Sequence, residues 1–203
     1  MPCYQIDGLL PVVDPSAFVH PTAVLIGDVW VGAGCYVGPC ASLRGDVGRI
    51  VLHEGVNVQD TCVLHGFPGG DTVVEADGHV GHGSVLHGCT VRRGALIGMN
   101  AVVMDEAEIG EQAFVAASAF VRAGMKVPPR TLVAGVPGKV LRELTAQEMS
   151  WKHEGTLAYQ NLARRCHASM VEVAPLASAD PARKRLNADD VSPGLKPLVA
   201  TKR

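Results

Sequence analysis

The chain has 203 residues, a formal net charge of −2, and 47% apolar but only 4% aromatic residues. That length carries one sizeable core. The charge excludes a strong general attraction to nucleic acid or an anionic membrane, and no apolar run reaches the roughly 18 residues of a membrane-spanning helix. The opening MPCYQIDGLLPVVDP has no basic segment and no continuous apolar stretch, so it does not read as a signal peptide. Six cysteines without a CxxC pair read as reduced thiols, and a cytoplasmic location is expected.

In chain order the first element is a repeat. Val13, Val19, Leu25, Val31, Val37 and Leu43 fall six apart, and after a one-residue slip the row continues through Ile50, Val56 and Cys62. A second run reads Val85, Val91, Ile97, Val103, Ile109, Val115, Val121, Val127 and Val133, often with glycine next, as in Ile97-Gly98. At about 100° per residue, an α-helix would turn such a row around its axis. A two-sided sheet would show period two. Period six fits an all-β solenoid of parallel strands, with one hexapeptide per side and three per triangular coil.

GFPGGDTVVEADG, residues 66–78, interrupts the repeat, and insertions in such arrays map to loops. His65 precedes it, and His79, His82 and His87 follow it. Residues 65 and 82 are seventeen apart, close to a full coil of eighteen, which predicts His65 and His82 on neighbouring coils of one side. His87 then falls at the next corner or side, so a second chain is needed to complete a three-histidine set. Histidine is the commonest metal-ligating side chain, and three such ligands leave a fourth position open for water.

After the repeat, Thr145-Ala146-Gln147-Glu148 is a capping box opening a helix from about residue 146 to 171. Met149, Leu157, Leu162 and Met170 are its apolar positions, and Gly155 is a candidate break. The expected organisation is a solenoid over 1–138, a C-terminal α-helix packing on it over 139–173, and a loosely attached tail over 174–203.

Arg44-Gly45-Asp46, Asn57-Val58-Gln59-Asp60, Val63-Leu64-His65, Val80-Gly81-His82 and Leu86-His87-Gly88-Cys89 together resemble the gamma-class carbonic anhydrase family of hexapeptide-repeat proteins. The resemblance implies a left-handed parallel β-helix and a homotrimer with metal sites between subunits. It implies His65, His82 and His87 as ligands, two from one subunit and the middle one from its neighbour. Arg44 and Asp46 are implied in charged contacts across the subunit interface, with Asn57 and Asp60 in the same structural set. Gln59 is implied to hydrogen-bond metal-bound water. His79 has no counterpart among the ligands and reads as a corner or loop histidine. Zinc is the expected cation, and three histidines also accept iron or cobalt.

A hydroxide supplied by such a metal attacks carbon dioxide or a thioester carbonyl equally well. Efficient carbonic anhydrases of this family carry acidic residues near the metal. Here Val47-Gly48 follows Asp46, and Asp71 is the only acid in the 66–71 loop, so weak carbon dioxide hydration is expected. Residues 44–105 and the helix stretch LRELTAQEMSWKHEGTLAYQNLARRC are similar to the phenylacetate-degradation and carnitine-operon branch of the family. That branch implies a metal-dependent acyl-CoA thioesterase clearing dead-end CoA esters of aromatic-ring degradation. Tyr159 on the helix reads either as a donor to a developing oxyanion or as a packing residue. Arg164 and Arg165 read as a solvated helix end rather than as contacts to CoA phosphates. A carbonic anhydrase, a metal-free hexapeptide acyltransferase and a non-enzymatic assembly subunit are the competing classes.

Overall fold

The computed structural model describes residues 2–187, 191 and 195. Each hexapeptide contributes two inward residues, a small one and an aliphatic one two positions later. Ala95 with Ile97, Ala101 with Val103, Ala107 with Ile109, Ala113 with Val115 and Ala119 with Val121 are all fully enclosed. A spacing of two puts both members on one side of an extended strand. Corners between sides turn through residues of positive φ, such as Asn100 at 56° and Ser118 at 57°, a conformation asparagine tolerates well. Backbone N–H groups then donate to the adjacent coil, as Val102 does to Ala119 at 2.9 Å. The result is a left-handed parallel β-helix of about seven turns. Its first and second faces share one 12-stranded sheet, and its third face is an 8-stranded sheet.

The register corrects the expected row of core residues. Val31 stands opposite Leu52, not Ile50. Leu52, Val58 and Leu64 continue the aliphatic row, while Ile50, Val56 and Cys62 fill the small-residue place two positions earlier. Likewise Leu86 is enclosed and Val85 faces outward. Both inward rows are apolar in this region, so a six-residue period fits either.

Along the first face, Leu43, Leu64, Leu86, Val103 and Val121 stack in register. Against a regular coil of eighteen, the first step is three residues long, the second four long, the third one short and the fourth regular. All the departures fall at one corner, where the first face meets the second. Residues 46–48 bulge on one coil, the 66–71 loop sits on the next, and the corner at Gly88 is shortened on the third. A Cβ at Gly48 would come 2.3 Å from the Gly70 carbonyl oxygen, so only glycine lets the bulge lie against the loop. Thr72 Oγ1 ties the corner by donating to the His65 carbonyl at 2.5 Å and accepting from the Gly88 N–H at 2.8 Å.

Lys139–Glu143 pairs antiparallel with Thr131–Ala134 on the last coil. Residues 139–143 are thus a strand that covers an open edge, rather than part of the helix. The helix Ala146–Ser169 opens on the expected Thr145–Glu148 capping box, runs unbroken through Gly155 and returns along the third face. Its buried face is not the apolar set read from the sequence. Leu157 is exposed and Met170 is the exposed C-cap residue, whereas Lys152, Thr156 and Ala163 are buried. The third face is partly polar, so the helix docks through polar bonds. Lys152 Nζ donates to the Asp77 carbonyl, and Gln160 Nε2 donates to the Gly55 carbonyl at 3.2 Å and Asp77 Oδ1 at 3.0 Å. Near its C-terminus, Ala163 and Leu162 pack on Phe18 and Tyr36.

Residues 174–187 are exposed and irregular, and the remainder of the expected tail lies outside the described residues except for 191 and 195. Among the described residues no helix is long and apolar enough to cross a membrane. Cys35, Cys62 and Cys89 are free and buried in the small inward places, and burial pushes their thiols up to about 12, 11 and 12.

The corrected register makes a direct prediction. Leu52→Ala should cost about 2–5 kcal/mol by opening a cavity, whereas Val51→Ala, on the outward side of the same strand, should cost under about 1 kcal/mol. Urea unfolding of the two variants measures this, and comparable losses would place the core on the wrong row.

Candidate functional site

His65 and His87 end adjacent strands of the first face and stand opposite each other in register. This corrects the expectation that His65 and His82 share a side. The 66–71 loop lengthens that coil to 22 residues, so His65 meets residue 87 instead of residue 82. His65 Nδ1 lies 3.2 Å from His87 Nε2. Beyond them, His65 Nε2 faces Asp46 Oδ1 at 3.1 Å, and His87 Nδ1 faces Asp105 Oδ1 at 2.6 Å. Asp46 comes from the bulge and Asp105 from the same corner one coil on. Arg44 approaches His65 Nε2 at 3.0 Å and Asp46 at 3.7 Å.

His82 occupies the opposite edge of the first face, at the corner leading in from the third. The five-residue step from it to His87 begins in the corner turn at 82–83 and ends in the strand Val85–His87. Its Nδ1 faces Asp60 Oδ2 at 3.0 Å, and its Nε2 faces the Tyr159 hydroxyl at 3.4 Å. Tyr159 also packs on Tyr36 and on the edge of His79, with ring centroids 5.4 and 5.5 Å away. Burial, with the Asp60 carboxylate adding to it, pushes the phenol up to about 12, so it stays a hydrogen-bond donor.

Gln59 is buried beneath this corner, and its amide orientation is fixed by a group that cannot flip. The His82 backbone N–H donates to Gln59 Oε1 at 3.2 Å. Gln59 Nε2 therefore faces the other way, donating to Asn57 Oδ1 at 3.0 Å and to His79 Nε2 at 2.7 Å. With His79 accepting at Nε2, its proton sits on Nδ1. The 3.3 Å approach of Asn57 Nδ2 to that nitrogen then brings two donors together and contributes no bond. His79 is not a corner or loop residue: it lies on the strand His79–Val80, under the helix. Burial, then the charges of Lys152 and His82, push it down to about 3, so its ring is neutral.

The donor set fits a divalent cation. Each of His65, His82 and His87 turns one ring nitrogen to an aspartate, and metal-ligating histidines are held in this way, with the other nitrogen left for the ion. The His65–His87 pair can place its protons in two ways. With the His65 proton on Nδ1, that nitrogen donates to His87 and Nε2 accepts from Arg44. With the proton on Nε2, it donates to Asp46, and two lone pairs face each other at 3.2 Å, an arrangement that calls for a cation between them. Within one chain, among the described residues, no three His, Cys, Asp or Glu side chains converge on a point.

Sequence reasoning missed Asp105, His79 and Lys152. Asp105 is 18 residues beyond His87, one regular coil, so the repeat itself held that signal. Arg164 and Arg165 are exposed, as a solvated helix end would be, and Val47 is exposed on the bulge.

Coil, histidine pairs and docked helix define a hexapeptide-repeat β-helix protein. No protein-family model matches the chain. It is 54% identical over 194 residues to the carnitine operon protein CaiE of Salmonella agona, covering 95% of this chain and 98% of that protein. Identity to CaiE of Escherichia coli K12 is 51%, over 95% and 99% of the two chains. Solved structures with the same architecture include a Bacillus cereus protein proposed to be an acetyltransferase (TM-score 0.81, 37% identity, 82% of this chain and 96% of that one). Another is a hexapeptide transferase family protein from Anaplasma phagocytophilum (TM-score 0.78, 36% identity, 80% and 96%). The chain belongs to the CaiE family.

The helix seam yields a pH prediction. Burial pushes the Lys152 ammonium down to about 8 from its ordinary 10.5. Between those pH values the unfolded chain binds more protons than the folded one, so this group adds stability as pH rises through the window. The buried thiols act in the opposite sense, so the quantity to follow is the stability of the parent minus that of Lys152→Met. That difference should grow in the parent's favour from about pH 8 to about pH 10.5 in unfolding titrations, and a flat difference would show the ammonium to be solvated.

Proposed function

We propose that the protein is a metal-dependent acyl-CoA thioesterase whose active sites form between the subunits of a homotrimer. The observation that carries this reading is the set of three histidines at the two edges of one rigid face, each with one ring nitrogen turned to an aspartate and the other turned away from it. Those edges lie on opposite sides of the face, and among the described residues of one chain no three such side chains converge on a point, which supports taking His82 from a neighbouring chain. A neighbouring chain can bring them together. The face between them supports such a contact: its outward row of Val63, Val85, Val102 and Phe120 is apolar and uncovered by the chain's own helix.

A divalent cation held by His65, His87 and a neighbour's His82 would supply hydroxide at neutral pH and polarise a carbonyl. The protein groups have separable tasks. Gln59 has spent both N–H groups and one Oε1 lone pair, so it serves as an acceptor orienting the attacking water. Tyr159 presents a protonated phenol that donates to the thioester oxygen as negative charge develops there. Water adds to the carbonyl, the C–S bond breaks, and the products are a carboxylate, the CoA thiol and one proton released to solvent. The CoA thioester as substrate rests on the family resemblance. The named relatives are carnitine-operon proteins, so a carnitinyl thioester belongs in any substrate panel beside ring-derived acyl groups. Val47 and the acid-poor 66–71 loop offer little for rapid proton export, which disfavours carbonic anhydrase.

Metal analysis and an acyl-CoA panel with free-thiol detection test the reaction. Gln59→Ala should keep metal and lose roughly 100-fold in turnover, the cost of a misplaced attacking water, whereas His65→Ala should lose both. Rapid carbon dioxide hydration without thiol release would make the protein a carbonic anhydrase, and acyl transfer to an added amine without hydrolysis would make it an acyltransferase. The shared site has its own test. Inactive His82→Ala and His65→Ala subunits, unfolded together and reassembled one to one, should recover about a quarter of the parent activity, because one site in four pairs the two intact edges. No recovery from well-formed mixed trimers would place each site within one chain.

A further inference from the structure

We propose that His79 is a positioning residue that fixes the Gln59 amide, and that the C-terminal helix acts on the site through this contact. The proposal rests on the functional reading above and adds a residue that the resemblance leaves without a role. Gln59 is almost fully buried, and a buried amide must place all its groups. His82 N–H takes one Oε1 lone pair, Asn57 takes one N–H, and His79 Nε2 takes the other at 2.7 Å, the shortest of the three bonds. The one vacancy left is the second lone pair of Oε1. His79 thereby takes the last N–H of an amide already oriented by His82 and holds it in place, so that Gln59 can offer an acceptor and nothing else.

His79 is held in turn by the helix. The Tyr159 ring stands nearly perpendicular to it, at 85°. The backbone at Gly155 passes so close that an added Cβ would lie 4.0 Å from His79 Cε1. Contacts thus run from the helix to His79, from His79 to Gln59, and from Gln59 to the peptide of His82. A ring that only filled space could be replaced by phenylalanine without effect on Gln59. A positioning ring could be replaced only by a side chain that keeps an acceptor where Nε2 stands, and glutamine can do so.

The experiment compares parent, His79→Phe, His79→Gln, Gln59→Ala and the His79→Phe/Gln59→Ala pair. The chain has five glutamines, so selective ¹⁵N-glutamine labelling resolves the Gln59 side-chain amide, identified by its loss in Gln59→Ala. In metal-free parent that amide should be protected from exchange with solvent. His79→Gln should keep the protection and His79→Phe should abolish it. In the metal-loaded proteins, His79→Phe should retain metal and lower kcat roughly 10- to 100-fold with KM little changed, the cost of an unmet buried donor. His79→Gln should recover most of that loss, and the pair should be no slower than Gln59→Ala alone. A freely exchanging Gln59 amide in the parent would overturn the proposal without any variant at 79. So would losses that multiply in the pair, or a His79→Gln as impaired as His79→Phe. If the parent hydrolysed no CoA ester, the thioesterase reading would fail on its own, and the metal-free amide measurement would still decide the role of His79.

Discussion

Each coil of the solenoid must set its inward pair on the pair below, and this constraint decides where irregular chemistry can be built. Adding one residue within a face would turn every later side chain to the other side of the sheet. Extra or missing residues are therefore absorbed at corners. Here the bulge at 46–48, the loop at 66–71 and the shortened turn at Gly88 all occupy one corner on successive coils. The ladder continues undisturbed on either side, with Leu64 and Leu86 still stacked. The corner gains Asp46 from the bulge and brings His65 beside His87. The half of the candidate machinery built from Asp46, His65, His87 and Asp105 lies where the repeat is broken because that is where the fold can accept departures.

The same rigidity separates the histidines of one chain into two groups. Parallel ladders lock the first face, with His65 and His87 at one edge and His82 at the corner on the other. On the reading proposed above, a neighbour's His82 would meet His65 and His87 across this rigid face, with the apolar outward row between the two groups as the contact. Each histidine would enter that contact already oriented by its aspartate, so little ordering would remain.

The aliphatic clock made the solenoid legible before any coordinates, and the capping box at Thr145 marked the helix start to the residue. The row after Leu43 was not legible, because Ile50, Val56 and Cys62 are as apolar as Leu52, Val58 and Leu64 and have the same period. Which histidines pair depended on how many loop residues the corner absorbs, and the seventeen-residue spacing pointed to His82 when the 22-residue coil selects His87. The ligand candidates themselves stood out by residue type. The residues that hold them did not: Asp105 is an ordinary corner acid until the coil places it on His87, and His79 appeared idle because its partner Gln59 lies twenty residues away on the coil below.

The helix seam shows why apolar periodicity failed there as well. A helix docked only to exclude water would turn Leu157 inward, yet the chain buries Lys152 and Thr156 and leaves Leu157 exposed. The Thr156 hydroxyl has no hydrogen-bond partner among the described residues, at a cost of about 1–3 kcal/mol. A desolvated ammonium satisfied by a carbonyl adds to that cost. Such a seam is a poor source of stability, and the aromatic contacts of Phe18 and Tyr36 at the other end of the helix offset it. What polar contacts do supply is registry. The bonds of Lys152 and Gln160 to Asp77 and Gly55 admit one axial position of the helix, whereas a greasy stripe would tolerate sliding by a turn. Only at that position does Tyr159 reach both His79 and His82. The buried polar residues of the helix are therefore best understood as the parts that set its position, with the phenol and the amide of Gln59 as the groups being placed.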